Sequence, residues 1–218
     1  FGVTLMPHEF IHPVRVAEKV ATVDVLSKGR VEWGIGRSTP MEQMAFGVDI
    51  ARSKEKMLAA TRSVVGMWEA EYYEEDSEFL KFPPRMVTPK PWQDPHPPVW
   101  AAASSVDSAR LAGENGLGLL CFSIMQPLSR IHEIVGVYRE AQARAAPLTG
   151  VHTNKIGTYT LVHCARSRDD FEKNRLWESM WWWYTTVAAF LLKWELAHLK
   201  PEAQEKAFPL LKKQDDGD

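Results

Sequence analysis

FGVTLMPHEFIHPVRVAEKVATVDVLSKGRVEWGIG, residues 1–36, reads as strand, helix, strand. Phe1 to Met6 is short, apolar and bounded by Pro7, which predicts a buried strand. Pro13 then stands where a first helical turn accepts a residue without an N–H. Val16, Ala17, Val20, Ala21 and Val23 recur at helical spacing and predict a core-facing helix, stopped by Ser27-Lys28-Gly29 with glycine past the end. Val31 to Gly36 follows as a second strand, whose two glycines leave room for a close approach to the backbone. A strand, a helix and a strand at this spacing form a parallel crossover unit.

Outward from that unit the alternation continues. Met41 to Asp49 has no clear period, and a helix is predicted from about Arg52 to Ala70, with Met57, Leu58, Thr61, Val64, Val65 and Trp68 on one side. Residues 72–98 carry Pro83, Pro84, Pro89, Pro91, Pro95, Pro97 and Pro98, so a long surface excursion with little regular structure is expected there. A strand over Val99 to Ala103, a helix ended by Gly116, a strand over Leu117 to Phe122, a helix near Leu128 to Ala145 and a strand near Lys155 to Ala165 complete the pattern. Strand and helix in alternation predict an α/β fold with a parallel sheet. The region from about 169 to 211 differs in kind, with Trp177, Trp181, Trp182, Trp183, Tyr184, Phe190 and Trp194 crowded together. Core packing is the ordinary reading, and a subunit interface or an apolar substrate wall is the alternative. The tail from Lys212 to Asp218 is polar and expected to fray.

Composition narrows the function. The chain has 218 residues, 45% hydrophobic and 25% charged, which suits one globular domain. A net charge of −2, without a run of Lys or Arg among aromatics, speaks against nucleic acid as a partner. The two cysteines, Cys121 and Cys164, sit in apolar runs rather than a Cys-x-x-Cys pair, so no disulfide framework is indicated and a reducing cytoplasm is expected. No leader is visible, and Thr185 to Leu192 is far short of the roughly 20 apolar residues of a membrane span. His8 and His12 stand four apart, but Ile11 and Pro13 between and beside them suit a turn, and no metal is expected.

Candidate chemistry gathers at Val99-Trp100-Ala101-Ala102-Ala103-Ser104-Ser105-Val106-Asp107-Ser108, an apolar strand that runs into three serines at the mouth of a helix. Helix N-termini offer unpaired N–H groups and the positive end of the dipole, so an anion such as phosphate suits the place. Ser105 with Ser108 also suits a plain N-cap. At this point both readings stand.

Several ordered motifs resemble the bacterial luciferase-like flavin monooxygenases: Leu5-Met6-Pro7, His12-Pro13-Val14-Arg15-Val16-Ala17-Glu18, Leu26-Ser27-Lys28-Gly29-Arg30, Gly34-Ile35-Gly36-Arg37 and Phe46-Gly47-Val48-Asp49. Pro89-Lys90-Pro91-Trp92-Gln93 and Pro97-Pro98-Val99-Trp100 extend the resemblance, which covers most of Phe1 to about Ala165. It implies a TIM-type (β/α) barrel with its active site at the C-terminal ends of the strands. It also implies that residues 1–218 form a partial barrel, lacking the first three strand–helix units with which relatives begin. Those units carry a histidine used in handling the oxygenated flavin, and no residue here inherits its role, so the catalytic residues stay unknown. Five strands cannot close a barrel, and either the chain is a fragment or another copy or a complementing chain supplies the missing surface.

The resemblance assigns the flavin phosphate to Arg37, Ser104, Ser105 and Ser108, with backbone N–H groups of Ser38 and Thr39 beside the arginine and Arg52 or Lys54 where some relatives have a second phosphate-side cation. A guanidinium fork grips phosphate from one side while a serine-headed helix supplies neutral donors from the other. Gly36 stands where the family places a small or soft side chain close to the flavin ring, and Thr4 would lie near the flavin or in the core. The implied activity is oxidation of a small organic substrate by reduced FMN and oxygen, the FMN being reduced by a separate flavin reductase. A deazaflavin-dependent hydride transfer is the alternative that the phosphate motif does not separate. Two further readings are a non-catalytic flavin-binding scaffold and an inactive fragment without a stable fold.

Overall fold

Proline and glycine punctuation sets the first crossover where the periodicity places it. A computed structural model describes residues 2–122, 127–159, 162–188 and 202 of the chain. Strand β1 (Gly2–Leu5) leads into helix α1 (Pro13–Ser27), with Pro13 in the first turn and His12 as N-cap, its Nδ1 accepting from the Val14 N–H at 3.3 Å. The helix stops at Lys28 and Gly29, both left-handed, with φ of 56° and 77°. Strand β2 (Trp33–Gly36) then pairs with β1 in parallel, Thr4 opposite Ile35 and Leu5 opposite Gly36.

Next come helix α2 (Pro40–Ala45), in a stretch whose sequence shows no period, and helix α3 (Ser53–Glu69). The excursion contains an antiparallel hairpin, β3 (Tyr73–Asp76) with β4 (Lys81–Arg85), against which the prolines argue. Pro83 and Pro84 fall where the pairing shifts register, between Phe82 opposite Glu75 and Arg85 opposite Tyr73, and β4 is paired on one side only. Strand β5 (Val99–Ala103), helix α4 (Val106–Glu114), strand β6 (Gly118–Phe122), helix α5 (Leu128–Gln142) and strand β7 (Ile156–Tyr159) follow. The last strand is shorter than its apolar run, and Thr160 and Leu161 lie outside the described residues.

Five strands make one parallel sheet in the order β1-β2-β5-β6-β7, with β1 and β7 at its edges. Among the described residues this sheet is open, and its parallel α/β pattern fits the greater part of a TIM-type barrel rather than a closed one. One face is the core. Ile35, Ala101 and Leu119 stand in register there, as do Trp33 and Val99, all at 3% exposure or less. Trp33 meets Trp68 of α3 edge to face at 5.1 Å, and the Trp68 indole N–H donates to the Ala17 carbonyl of α1. On the opposite face Gly34 leaves the room that Val3 and Leu120 fill, since a Cβ there would lie 2.7 Å from Val3.

Helix α1 departs from its predicted face at one turn. Val23 is 54% exposed, and Asp24 takes the buried place beside Val20 and Ala21. Its carboxylate accepts from both the backbone N–H and the side-chain amide of Gln93, each at 2.9 Å, which ties the excursion to the helix.

The described chain falls into two compact units, Phe1–Arg37 with Ala51–Thr160, and Ser38–Ile50 with Leu161–Asp218. The second contains α2, α6 (Arg168–Lys173), α7 (Leu176–Trp182) and a wide π-type turn over Trp183–Ala188. Trp177, Trp181 and Trp182 are 60–68% exposed, so core packing does not account for these three rings. Phe190 and Trp194, and the side chain of Tyr184, lie outside what is described. No helix among the described residues is long and apolar enough to cross a membrane.

Helices α4 and α5 cross closely because Gly113 has no side chain: a Cβ there would lie 2.6 Å from Ala141 and 2.8 Å from the Tyr138 carbonyl. Gly113→Ala is expected to lower stability by about 1–3 kcal/mol through overpacking. Urea unfolding measures it, and an unchanged midpoint would refute the close contact.

Candidate functional site

Parallel strands end at one side of a sheet, and there β2 and β5 stand next to each other. Their register, Trp33 opposite Val99 and Ile35 opposite Ala101, brings Arg37 and Ser104 out of adjacent strand ends, roughly one strand spacing of about 4.8 Å apart along the sheet. Gly36 and Ala102 precede them, on the face away from the helices. A Cβ on Gly36 would find only ordinary contacts, at 3.6 Å from Val3 and 3.9 Å from Ala102 and Leu5, so this glycine leaves the strand end open.

Arg37 is half-buried, and its Nη1 donates to the Ser53 hydroxyl at 3.0 Å. Burial pulls the guanidinium below its ordinary value of 12.5, yet it remains a cation at neutral pH. Ser53 is fully buried and opens α3, so the arginine is held against the start of that helix. Periodicity does not reveal Ser53; its partner lies 16 positions away, and only the fold joins them.

The first turn of α3 is crowded with cations, a choice opposed to the helix dipole. Arg52 forms ion pairs with Glu55 and Glu78 and lies over the Phe79 ring at 4.5 Å. Lys56 pairs with Glu9 from the loop after β1. Lys54 alone of the three has no side-chain partner among the described residues, and it is half-buried.

Ser105 is the N-cap of α4, its hydroxyl accepting from the Ser108 N–H at 3.2 Å. The two hydroxyls also bond each other at 3.0 Å. With Ser105 donating to Ser108, the Ser108 proton is left for another acceptor while the cap is kept. Asp107, also in this turn, is engaged by Arg110 at 3.1 Å. Ser104 is exposed just ahead of the cap.

Other sequence candidates fall elsewhere. Ser38 has left-handed backbone, with φ of 70°, and its hydroxyl donates to Glu42. Thr39 caps α2, accepting from the Glu42 N–H at 3.3 Å. Both hydroxyls therefore serve the start of α2, within the second unit. Thr4 lies half-buried on the helix-covered face, where it accepts from the Trp33 indole at 2.8 Å and donates to the Met6 sulfur.

Sequence spacing does not mark Glu9 and His8 as a pair. The Glu9 carboxylate binds Lys56 through Oε1, and its Oε2 lies 3.5 Å from His8 Nδ1. Burial pushes the Glu9 carboxyl up, but the Lys56 hydrogen bond and the neighbouring His8 and Lys56 charges outweigh it, leaving it below its ordinary value.

The chain and its fold have counterparts among known proteins. The family model for luciferase-like monooxygenases matches residues 1–217, and the chain belongs to that family. It is 29% identical over 135 residues to the oxygenase component of a flavin-dependent trigonelline monooxygenase from Acinetobacter baylyi, covering 61% of this chain and 37% of that protein. It is 34% identical over 111 residues to the alkanal monooxygenase alpha chain of the Kryptophanaron alfredi symbiont, covering 50% and 31%. Among solved structures, a monooxygenase from Streptomyces bottropensis matches with a TM-score of 0.64 at 26% identity, covering 78% of this chain and 53% of that one. The FMN complex of the oxygenating constituent of 3,6-diketocamphane monooxygenase from Pseudomonas putida shares the fold, with a TM-score of 0.68 at 19% identity, covering 88% and 56%. The chain thus spans 31–56% of the length of these proteins.

Two outcomes test the local geometry. Ser105→Ala should cost about 1 kcal/mol of stability as the α4 cap is lost, measured by thermal unfolding, and no change would mean that the cap is idle. Because Glu9 titrates below 4.5 in the folded chain, its pair contributes fully above that value and is lost as the pH falls through the lowered one. Urea unfolding between about pH 6 and about pH 3 should therefore fall less steeply for Glu9→Gln than for the unsubstituted chain.

Proposed function

We propose that the ends of β2 and β5 hold the phosphate of FMN, and that the chain serves a monooxygenase that turns reduced FMN and oxygen on a small organic substrate. The observation that carries this reading is the pairing of Arg37, seated on Ser53, with the serine-headed helix α4 on the adjacent strand. The donor set fits a phosphate dianion. Arg37 brings a cationic guanidinium fork, Lys54 lacks a carboxylate among the described residues, and Ser108 has a hydroxyl proton to give.

Bound there, reduced FMN would supply the electrons that activate oxygen. The chain's own work is to bind and orient. Arg37 and Lys54 would neutralise the phosphate, the start of α4 would add neutral donors and the positive end of its dipole, and Gly36 with Ala102 would leave the adjoining strand ends clear of bulk. FMN reduced elsewhere implies a flavin reductase as partner, a role consistent with the relative described as an oxygenase component.

Titration of FMN against the purified chain, followed by flavin fluorescence, tests the grip. Arg37→Ala should weaken binding on the order of 10- to 100-fold, or about 1.5–3 kcal/mol for a charge-assisted hydrogen bond. Equal affinity of the two forms would refute the phosphate assignment. Tight FMN binding without substrate-dependent oxygen uptake in the presence of a reductase would instead favour a binding scaffold.

A further inference from the structure

We propose that Phe122 and Tyr159 form a ring-stacking platform beside the phosphate site, and that the organic substrate laid on it carries a planar aromatic ring. The proposal rests on the flavin reading above and names the substrate class that this reading leaves open.

The two residues end adjacent strands, β6 and β7, and stand opposite each other in register. Their rings lie within 11° of parallel with centroids 5.7 Å apart, an offset stack. Both face away from the helices. Leu119 and Cys121 are buried on the helix-covered side, and side chains alternate along a strand, so Leu120 and Phe122 point the other way. Gly157, opposite Leu120 and two residues before Tyr159, shares that face: a Cβ there would lie 3.2 Å from Leu120 and 3.7 Å from the Trp100 ring. Below the stacked rings the surface is therefore apolar down to Trp100.

Register also sets the reach to the phosphate site. Strands β5 and β6 pair as far as Ala103 opposite Cys121, so one residue further on Ser104 and Phe122 leave the sheet side by side. At about 4.8 Å per strand, Phe122 stands one strand from Ser104 and Tyr159 about 10 Å from it across the sheet. Arg37, Ser104, Phe122 and Tyr159 thus follow one another at the ends of β2, β5, β6 and β7, all within the first compact unit. Gly36 and Ala102 keep the ground over β2 and β5 clear, and the rings rise over the next two strands.

Exposure points to a ligand. Phe122 is 38% and Tyr159 57% exposed, although parallel sheets ordinarily cover their apolar side chains on both faces. A flat ring laid against the pair gains stacking as well as apolar burial, whereas an alkyl chain of equal area gains burial alone. The platform therefore favours flat ligands over flexible ones. The flavin's own ring has the same chemistry, and the experiment separates the two.

Calorimetry measures the binding of 2-naphthol and of its saturated counterpart, decahydro-2-naphthol, to the chain with and without FMN. The aromatic alcohol should bind about ten-fold more tightly. Phe122→Leu and Tyr159→Leu should each weaken it about five-fold and leave the saturated alcohol and FMN unchanged, while Tyr159→Phe, which keeps the ring, should retain its affinity. Leucine variants that weaken FMN rather than 2-naphthol would give the rings to the flavin and overturn the substrate assignment. Equal binding of the two alcohols overturns the platform, as do leucine variants that lose stability in urea while still binding 2-naphthol as before. Absence of FMN binding by the unsubstituted chain overturns the flavin reading and the substrate role with it, and the 2-naphthol measurements without FMN still decide the platform.

Discussion

The burial of one face of the parallel sheet is the constraint from which the rest follows. Trp33, Ile35, Val99, Ala101 and Leu119 are covered by helices, and at about 25 cal/mol per Å2 of apolar surface a one-residue slip would be prohibitive. Register fixed in this way also fixes what the other face presents and which residues emerge side by side at the strand ends. Arg37 and the serines of α4 are neighbours because Ile35 and Ala101 are both core residues on adjacent strands. The site's geometry is therefore a by-product of hydrophobic packing beneath it.

Charge at the start of α3 tells a second story. Cations at a helix N-terminus oppose the dipole, yet Arg52, Lys54 and Lys56 all lie there. Two are answered by carboxylates brought from elsewhere in the chain, Glu78 from the hairpin and Glu9 from the β1–α1 loop. These pairs fasten separate loops to the turn that seats Arg37. Of the three, Lys54 alone has no side-chain partner among the described residues.

Local sequence carried most of the fold. Pro13 and Gly29 bracket α1, Gly116 ends the helix before β6, and the apolar runs mark β1, β2, β5 and β6, because such signals act within a few residues. What escaped depends on partners far along the chain. Asp24 looks like a surface residue until Gln93, 69 positions on, meets it in the core, and Arg37 needs Ser53 in the same way. The hairpin of the excursion was hidden because prolines weigh against a strand in general, whereas a strand paired on one side tolerates them. Ser105 was legible as a cap or an anion site, and it serves the first while leaving Ser108 able to serve the second.

Gly113 gives the site a reach beyond its own residues. Helix α4 is nine residues long, with Ser105 at one end and the close crossing with α5 near the other. A rigid rod pressed at one end and resting on Ala109 and Ala112, both fully buried, acts as a lever about that fulcrum. Spacing between two helices on the outside of the sheet is thereby converted into the height of a serine hydroxyl at the strand ends. Sequence drift in the α4–α5 seam is therefore a route to shifting the serine-headed end of α4 without changing a residue there.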